Sequence, residues 1–389
     1  MKSSQAYKIY LFSISGMLLF LPLLEAPKQL FLTLALISGF YIIYKYKIAI
    51  QKDIITYSII AFILFSIPGS IFGEYDIHIA KSLKGNLDLI RILILFIVIR
   101  AIPIDKESIK RVVIYPIMIG FSITVIWGVY DKIIYDTVSF SLHSVGHRNH
   151  SAIYALMVFT LSMVLYFTQQ NKTVWLFGMI LSIYVIFATG SRAAIYAIPM
   201  LLVIYALLSK RVSIKQLSVI FALFSIVGIS MIILFPDNFL IYKLKEGLSP
   251  AGRFFLSELA LRKWIDGNIL FGIGAGNYKY INYQEYFQSM PLSHLPSHAH
   301  NTLMTYLVER GILATAAYIV FQISLAVKLY INSKESVYTT IALMMLIANT
   351  IVSIVNTTFH HENGLLMVTI WAIAINLSQN ISDQKSKFR

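Results

Sequence analysis

About twelve times along this chain the residues stay apolar for roughly the 20 positions that a helix needs to cross the hydrocarbon of a bilayer. Nothing else narrows the fold so far, because backbone in hydrocarbon must satisfy its own hydrogen bonds and only helices and closed barrels do so. Runs this long are helical. The expected spans centre on residues 9–24, 29–44, 54–72, 85–104, 112–130, 151–169, 173–190, 192–209, 216–235, 302–328, 337–356 and 364–379. Composition agrees, at 58% hydrophobic and 13% charged, where a soluble domain approaches about a quarter charged. The expected fold class is an all-α polytopic membrane protein, a single integral membrane domain over residues 1–389 with about twelve transmembrane helices. Only "EAPK" separates the first two runs, so the first reads as a retained span rather than a cleaved signal.

Lysine and arginine set the orientation. With a cytoplasmic N-terminus, the basic groups at Lys45, Lys47 and Lys52, at Lys106, Lys110 and Arg111, at Lys210, Arg211 and Lys215, and at Lys328 and Lys334 all fall in short cytoplasmic segments. N-in, C-in is favoured. One large loop, residues 236–300, then lies on the outer face between helices nine and ten. Part of the net charge of +14 is this bias, and the remainder on the outer side suggests an anionic substrate handled beyond the cytoplasm. Nucleic acid is not expected, since basic and aromatic residues never interleave on a soluble module. With no cysteine in the chain, the outer loops carry no disulfide and thiolate chemistry is excluded.

Under this topology all nine histidines are outer residues. His143, His147 and His150 share "SLHSVGHRNHSAIY" with Arg148 and Asn149; His294, His298 and His300 end the large loop; His360, His361 and Glu362 occur in "NTTFHHENG"; His78 stands apart. Arg192 follows a Gly-Ser turn in "FATGSRAAIY", and the large loop adds Arg253, Arg262 and Lys263. In "LSPAGRFFLSELALRKWIDGN", a Ser249-Pro250 start, Phe255, Leu256, Leu259 and Ala260 at three-to-four spacing, and a stop at Gly267 predict a weakly amphipathic helix of about 15 residues near the interface. The glycines of the following "ILFGIGAGNYKYINY" predict a tight turn that lets backbone approach the core or a ligand. They do not make a nucleotide motif, because no strand precedes them.

Several chemistries fit these residues. A guanidinium grips phosphate through paired, charge-assisted bonds, so Arg192 and Arg253 suit an anion; a snorkelling Arg192 and a solvated Arg253 are the plainer alternatives. An imidazole can take a proton near neutral pH, which makes His300 a candidate base; a zinc set of His298, His300 and the 360–362 cluster, or polar packing alone, are the others. Glu309 and Arg310 inside an apolar run need pairing. They form either a local structural network or an anchor that orients the histidine loop.

Taken together, "SHAHNTLMTYLVERGI" (297–312), "FGIGAGNY" (271–278), "TGSRAA" (189–194) and "GHRNHSA" (146–152) resemble the O-antigen ligase and Wzy-type polymerase superfamily of bacterial envelopes. The likeness covers most of the chain, including the twelve-span, N-in layout with one large periplasmic loop, and the layout is most similar to O-antigen ligase. In that family the loop ends in a histidine followed by Asn, Ser or Gln, then nine residues and a glycine, then two residues and Gly, Thr or Tyr. This chain supplies His300, Asn301 and Gly311, with Ala314 in the last place. Arg192 and Arg253 match the family's essential arginines.

The resemblance implies a glycosyltransferase of the GT-C class in the bacterial inner membrane, working at the periplasmic face by metal-independent, cofactor-free inverting transfer. An undecaprenyl-diphosphate-linked O-antigen would be the donor, entering laterally from the membrane lipids, and a sugar hydroxyl of the lipid A-core oligosaccharide the acceptor. His300, Arg192 and Arg253 would be catalytic. Arg148, His147, His150, Asn301, His298 and His361 would contact substrate, and Glu309 and Gly311 would support them. The rivals are a polymerase of the same superfamily, a protein O-oligosaccharyltransferase, and a lipid-linked glycan transporter. A transporter would show internal repeats or paired broken spans, and neither is visible in the sequence.

Overall fold

The computed structural model describes residues 1, 4–73, 79–135, 140–209, 212–234, 251–289, 295–359 and 361–387. His78, His294, His360, the Ser249-Pro250 helix start and the large loop over 236–250 lie outside the described residues. In chain order the helices are α1 (Gln5–Phe20), α2 (Glu25–Lys45), α3 (Ile54–Ser66), α4 (Pro68–Phe72), α5 (Ile79–Ala101), α6 (Lys106–Ile109), α7 (Tyr115–Tyr135), α8 (Arg148–Thr168), α9 (Lys172–Thr189), α10 (Arg192–Ser209), α11 (Ile214–Leu234), α12 (Ala251–Asp266), α13 (Thr302–Asn332), α14 (Val337–Ser353) and α15 (His361–Lys387). A π-helical turn, Lys110–Ile114, joins α6 to α7. The described residues contain no strand.

Each of the twelve expected segments is helical, and among the described residues seven segments are long and apolar enough to cross a membrane: α2, α3 with α4, α6 through α7, α8, α9, α10 and α13. The protein is a multi-pass membrane protein. α14 and the first part of α11 are also apolar but shorter. α5 carries Lys81, Lys84, Asp88 and Arg91 between its start and its middle.

Packing follows from how evenly apolar each helix is. Of α8's apolar stretch 83% is buried within the protein, against 28% for α2 and 33% for α10, so α8 is the central helix and the other two are peripheral. α9 and α14 flank α8, α13 packs on α3, and α15 on α5. Outward-facing side chains such as Phe12, Tyr44, Ile126 and Leu207 form an apolar exterior of the kind that lipid covers.

One span is broken, which corrects the reading of 302–328 as one continuous run. α13 breaks at Gly311, whose φ of 74° and ψ of 179° are far from helical, whereas the 54–72 segment keeps helical backbone at Ile67 (φ −76°, ψ −46°) where Pro68 begins α4. Sequence hides the break because apolar residues continue through it and single glycines are common in membrane helices. The glycine-rich turn enters this gap. Ile273 N–H donates to Val308 O at 2.9 Å, Gly274 N–H to Glu309 O at 2.9 Å, and Ile312 N–H to Ile269 O at 2.9 Å, so the turn satisfies backbone groups that the break leaves open. A Cβ on Gly311 would sit 2.2 Å from Leu270 O, and one on Gly69 2.0 Å from Phe271 O. Only glycine admits such a close approach. The backbone of the turn thus approaches the core, one of the two possibilities its glycines suggested.

The Glu258–Arg262 pair at 2.7 Å faces outward on α12 while Phe255, Leu256, Leu259 and Ala260 are buried, which is the apolar face that the spacing predicts. These four pack with Ile273, Tyr278, Ile281, Ala299 and Val308 into a second hydrophobic cluster. Through it α12 and the glycine turn hold the chain on both sides of His300.

Candidate active site

His300 precedes α13 by two residues, in left-handed backbone with φ of 52°. Such a conformation costs a non-glycine residue about 1–3 kcal/mol and persists only where its surroundings impose it. They do so here. Asn301 caps α13, its side-chain oxygen accepting from Met304 N–H at 3.1 Å, while its Nδ2 donates to Ile354 O at 3.0 Å. Thr302 Oγ1 donates to Asn356 O at 3.0 Å and accepts from Thr358 N–H at 3.2 Å; Tyr306 OH donates to Phe359 O at 3.0 Å. The segment after α14 is therefore stitched to the start of α13. His361, with φ of 47°, is a second site histidine in left-handed backbone.

His147, His150, His298 and His300 line one cavity of 360 Å³ together with Asn149, Asn356 and Thr357. His147 caps α8, its Nδ1 accepting from Asn149 N–H at 3.3 Å, and its ring lies 5.8 Å from that of His150 at 84°. His150 is also within electrostatic reach of His298, His300 and His361. Histidines from three places in the sequence thus meet at the end of the bundle where α8, α13 and α15 begin.

Arg192 and Arg253 do not line this cavity. The charge of Arg253 acts on His300, and that of Arg192 on Arg253. Burial and then Arg192 hold Arg253 below the usual guanidinium value. Two like charges that are half-buried together favour an anion between them. Burial first, and then Arg253, push the His300 imidazole down to about 4; the nearness of the Asn356 side chain, which forms no aligned hydrogen bond with it, works the other way. His298 is likewise pushed down to about 4 by burial and then Arg310. Both rings are neutral at neutral pH and able to accept a proton.

Behind His298, Glu309 and Arg310 are buried. Arg310 Nη1 donates to Glu309 Oε2 at 3.2 Å, and the guanidinium lies 5.1 Å over the Tyr306 ring. Glu309 faces the backbone amides of Gly276 and Tyr278. The pair joins the glycine turn to α13 one residue before the break at Gly311.

His361 lines two neighbouring cavities rather than the one at His300, and Arg148 opens α8 beside His147 without lining any of the three. The sequence reading passes over three residues. Asn356 and Thr357 lie in the quoted "NTTFHHENG" beside its more conspicuous histidines. Lys28, in "EAPK", is buried between Glu25 and Glu362; a lysine at the very start of an apolar run is the available signal. Among the described residues no three His, Cys, Asp or Glu side chains are placed to hold a metal ion.

Residues 177–319 match the family model described as O-antigen ligase. The match contains Arg192, Arg253, His298, His300, Asn301, Glu309 and Gly311 and stops short of the 147–150 and 356–361 segments. Over that stretch the chain is similar to the O-antigen ligase family. No curated protein matches the chain.

Proposed function

We propose that this protein belongs to the O-antigen ligase superfamily and is an inverting, GT-C-type glycosyltransferase of the bacterial inner membrane. It moves O-antigen from undecaprenyl diphosphate to a sugar hydroxyl of lipid A-core at the periplasmic face. The observation that carries this reading is that His300 lines a cavity walled by histidines while the charge of Arg253, itself acted on by Arg192, reaches it.

On this reading the donor diphosphate lies at Arg192 and Arg253 and the acceptor hydroxyl enters the cavity. The hydroxyl oxygen bonds to the donor's anomeric carbon from the side opposite the leaving group, inverting it. The bond from that carbon to the phosphate oxygen breaks, its electron pair stays on the diphosphate, and the hydroxyl proton passes to His300. A sugar hydroxyl is far too weak an acid to ionise beforehand, so proton transfer accompanies bond formation. The arginines stabilise charge that grows on the leaving diphosphate, which is where electrostatic help lowers a barrier. Glu309 and Gly311 act at a distance by fixing the glycine turn, and Asn301 by capping the helix that His300 precedes. His147, His150 and His298 wall the acceptor's approach, with Arg148 and His361 at its margins.

The test is disruption of the gene in its own host, followed by gel analysis of lipopolysaccharide and complementation with wild-type or His300→Ala protein at equal membrane level. Ligase function is expected to show as loss of all O-antigen from lipid A-core while long lipid-linked chains accumulate. A single repeat left on the core would make the protein a polymerase, and full rescue by His300→Ala would remove the histidine from the mechanism.

A further inference from the structure

α1 and α2 pack on each other across a short turn and so run antiparallel, and a cavity of 480 Å³ opens between the start of α1 and the end of α2. Lys28, near the start of α2, pairs with Glu362 beside His361, whereas Lys45, which lines the cavity, is about 25 Å further along the same helix. The cavity is therefore at the end of the bundle away from His300. Its walls change character with depth. Ile9, Leu34 and Ile37 lie further along the helices towards the middle of the bundle and are exposed, while Gln5 and Lys45 stand at the helix ends. Exposed apolar side chains on a peripheral membrane helix face lipid tails.

The charge at the mouth is of one sign. No aspartate or glutamate lines the cavity, and the Lys45 ammonium lies over the rings of Tyr41 and Tyr46 at 5.4 and 5.8 Å, contacts that hold a cation without neutralising it. Asp53, the next acid along the chain, is taken by Arg100, whose Nη1 donates to its Oδ1 at 2.9 Å. α2 also ends on a second cation. Ile48 N–H donates to Ile43 O at 3.0 Å and Lys47 N–H to Tyr44 O at 3.3 Å, a helix ending whose left-handed residue is usually glycine. Here that residue is the exposed Lys47, with φ of 48°. A glycine would relieve the strain, and the chain keeps a positive charge there instead.

We infer that this cavity binds one anionic phospholipid from the leaflet opposite the histidine site, its phosphate at Lys45 and Gln5 and an acyl chain against Ile9, Leu34 and Ile37. The inference is independent of the glycosyltransferase reading. A zwitterionic headgroup brings a cation of its own to Lys45, whereas an anionic one leaves its charge for the lysines. One lysine near such a charge changes affinity about fivefold.

The experiment is native mass spectrometry of the full-length protein in detergent, titrated with phosphatidylglycerol or phosphatidylcholine, for wild type, Lys45→Gln, Ile37→Trp and Lys334→Gln. Lys334 is exposed after α13, outside the cavity, and controls for charge that is not local. The first phosphatidylglycerol is expected to bind wild type at least about fivefold more tightly than phosphatidylcholine, and Lys45→Gln to lose about that factor for phosphatidylglycerol alone. Ile37→Trp fills the cavity and is expected to weaken both lipids; Lys334→Gln is expected to match wild type. All three positions are exposed, so melting temperatures are expected to stay near that of wild type. Equal affinity of wild type for the two lipids, an unchanged phosphatidylglycerol affinity in Lys45→Gln, or an equal loss in Lys334→Gln would overturn the assignment. Ile37→Trp without effect on either lipid would overturn it too, by showing that the lipid meets surface charge and not the cavity.

Discussion

Burial and the Arg253 guanidinium make His300 a weaker base than a free imidazole, and both effects respond to the donor. A diphosphate beside Arg253 offsets its charge, so donor binding raises the His300 pKa and strengthens the base when it is needed. The acid limb of kcat/KM for the donor, which reports the free enzyme, is expected near 4, and that of kcat at higher pH. Coincident limbs would count against the coupling. Stability carries the same sign: the folded value lies below the unfolded value of about 6.5, so the stabilisation is full above that pH and is lost as pH falls through it towards 4. In His300→Gln the acid-side fall in melting temperature is expected to be smaller, as measured by thermal unfolding between neutral and mildly acidic pH. Arg253→Gln is expected to lower kcat by roughly 10²–10³-fold, the scale of losing one aligned donor to a developing anion. His300 and Arg192 stood out as candidates in the sequence because histidine and arginine are conspicuous at the ends of apolar runs, and Arg253 because it heads the loop helix; their proposed roles came from the family resemblance. Asn356 did not stand out, since what marks it is its nearness to the His300 ring, which exists only in three dimensions.

The helix break at Gly311 and its glycine wedge carry the element-scale consequences. Gly311→Ala forces a side chain into left-handed backbone and to within 2.2 Å of Leu270 O, so it is expected to destabilise by at least about 1–3 kcal/mol and to lower activity by moving the chain around His300. A variant with wild-type melting temperature and activity would show that the wedge does not position the site. Asn301 poses a related question, because both ends of its amide already serve the protein. Asn301→Ala is expected to lose about 1 kcal/mol of capping with an acceptor KM near wild type; a large KM effect at unchanged stability would make it a substrate contact. The helical segments were legible as apolar runs, even that of α5 with its charges, and the buried face of α12 as a three-to-four spacing. The break at Gly311 was not, because a segment elsewhere in the chain fills it and no local pattern announces that partner.

The bundle gathers residues from the starts of α2, α8, α13 and α15 at one end, and the sidedness of that end decides which substrates reach it. The absence of native cysteine allows a clean test. Ser297→Cys, exposed at the site end, is expected to react with a membrane-impermeant maleimide in intact spheroplasts, and Lys334→Cys, exposed after α13, only after the membrane is opened. The reverse pattern would place the site in the cytoplasm and exclude lipopolysaccharide assembly. The basic loops predict an outward-facing site but could not show that four distant segments converge, since convergence depends on how the helices pack. The most direct measurement of the central claim is a single-turnover reaction of purified wild-type and His300→Ala enzyme with undecaprenyl-diphosphate-linked glycan and a carbohydrate acceptor, the product's anomeric configuration being read by NMR. An inverted linkage is expected, with roughly 10²–10⁴-fold slower formation by the variant. A retained configuration, or a variant as fast as wild type, would contradict it.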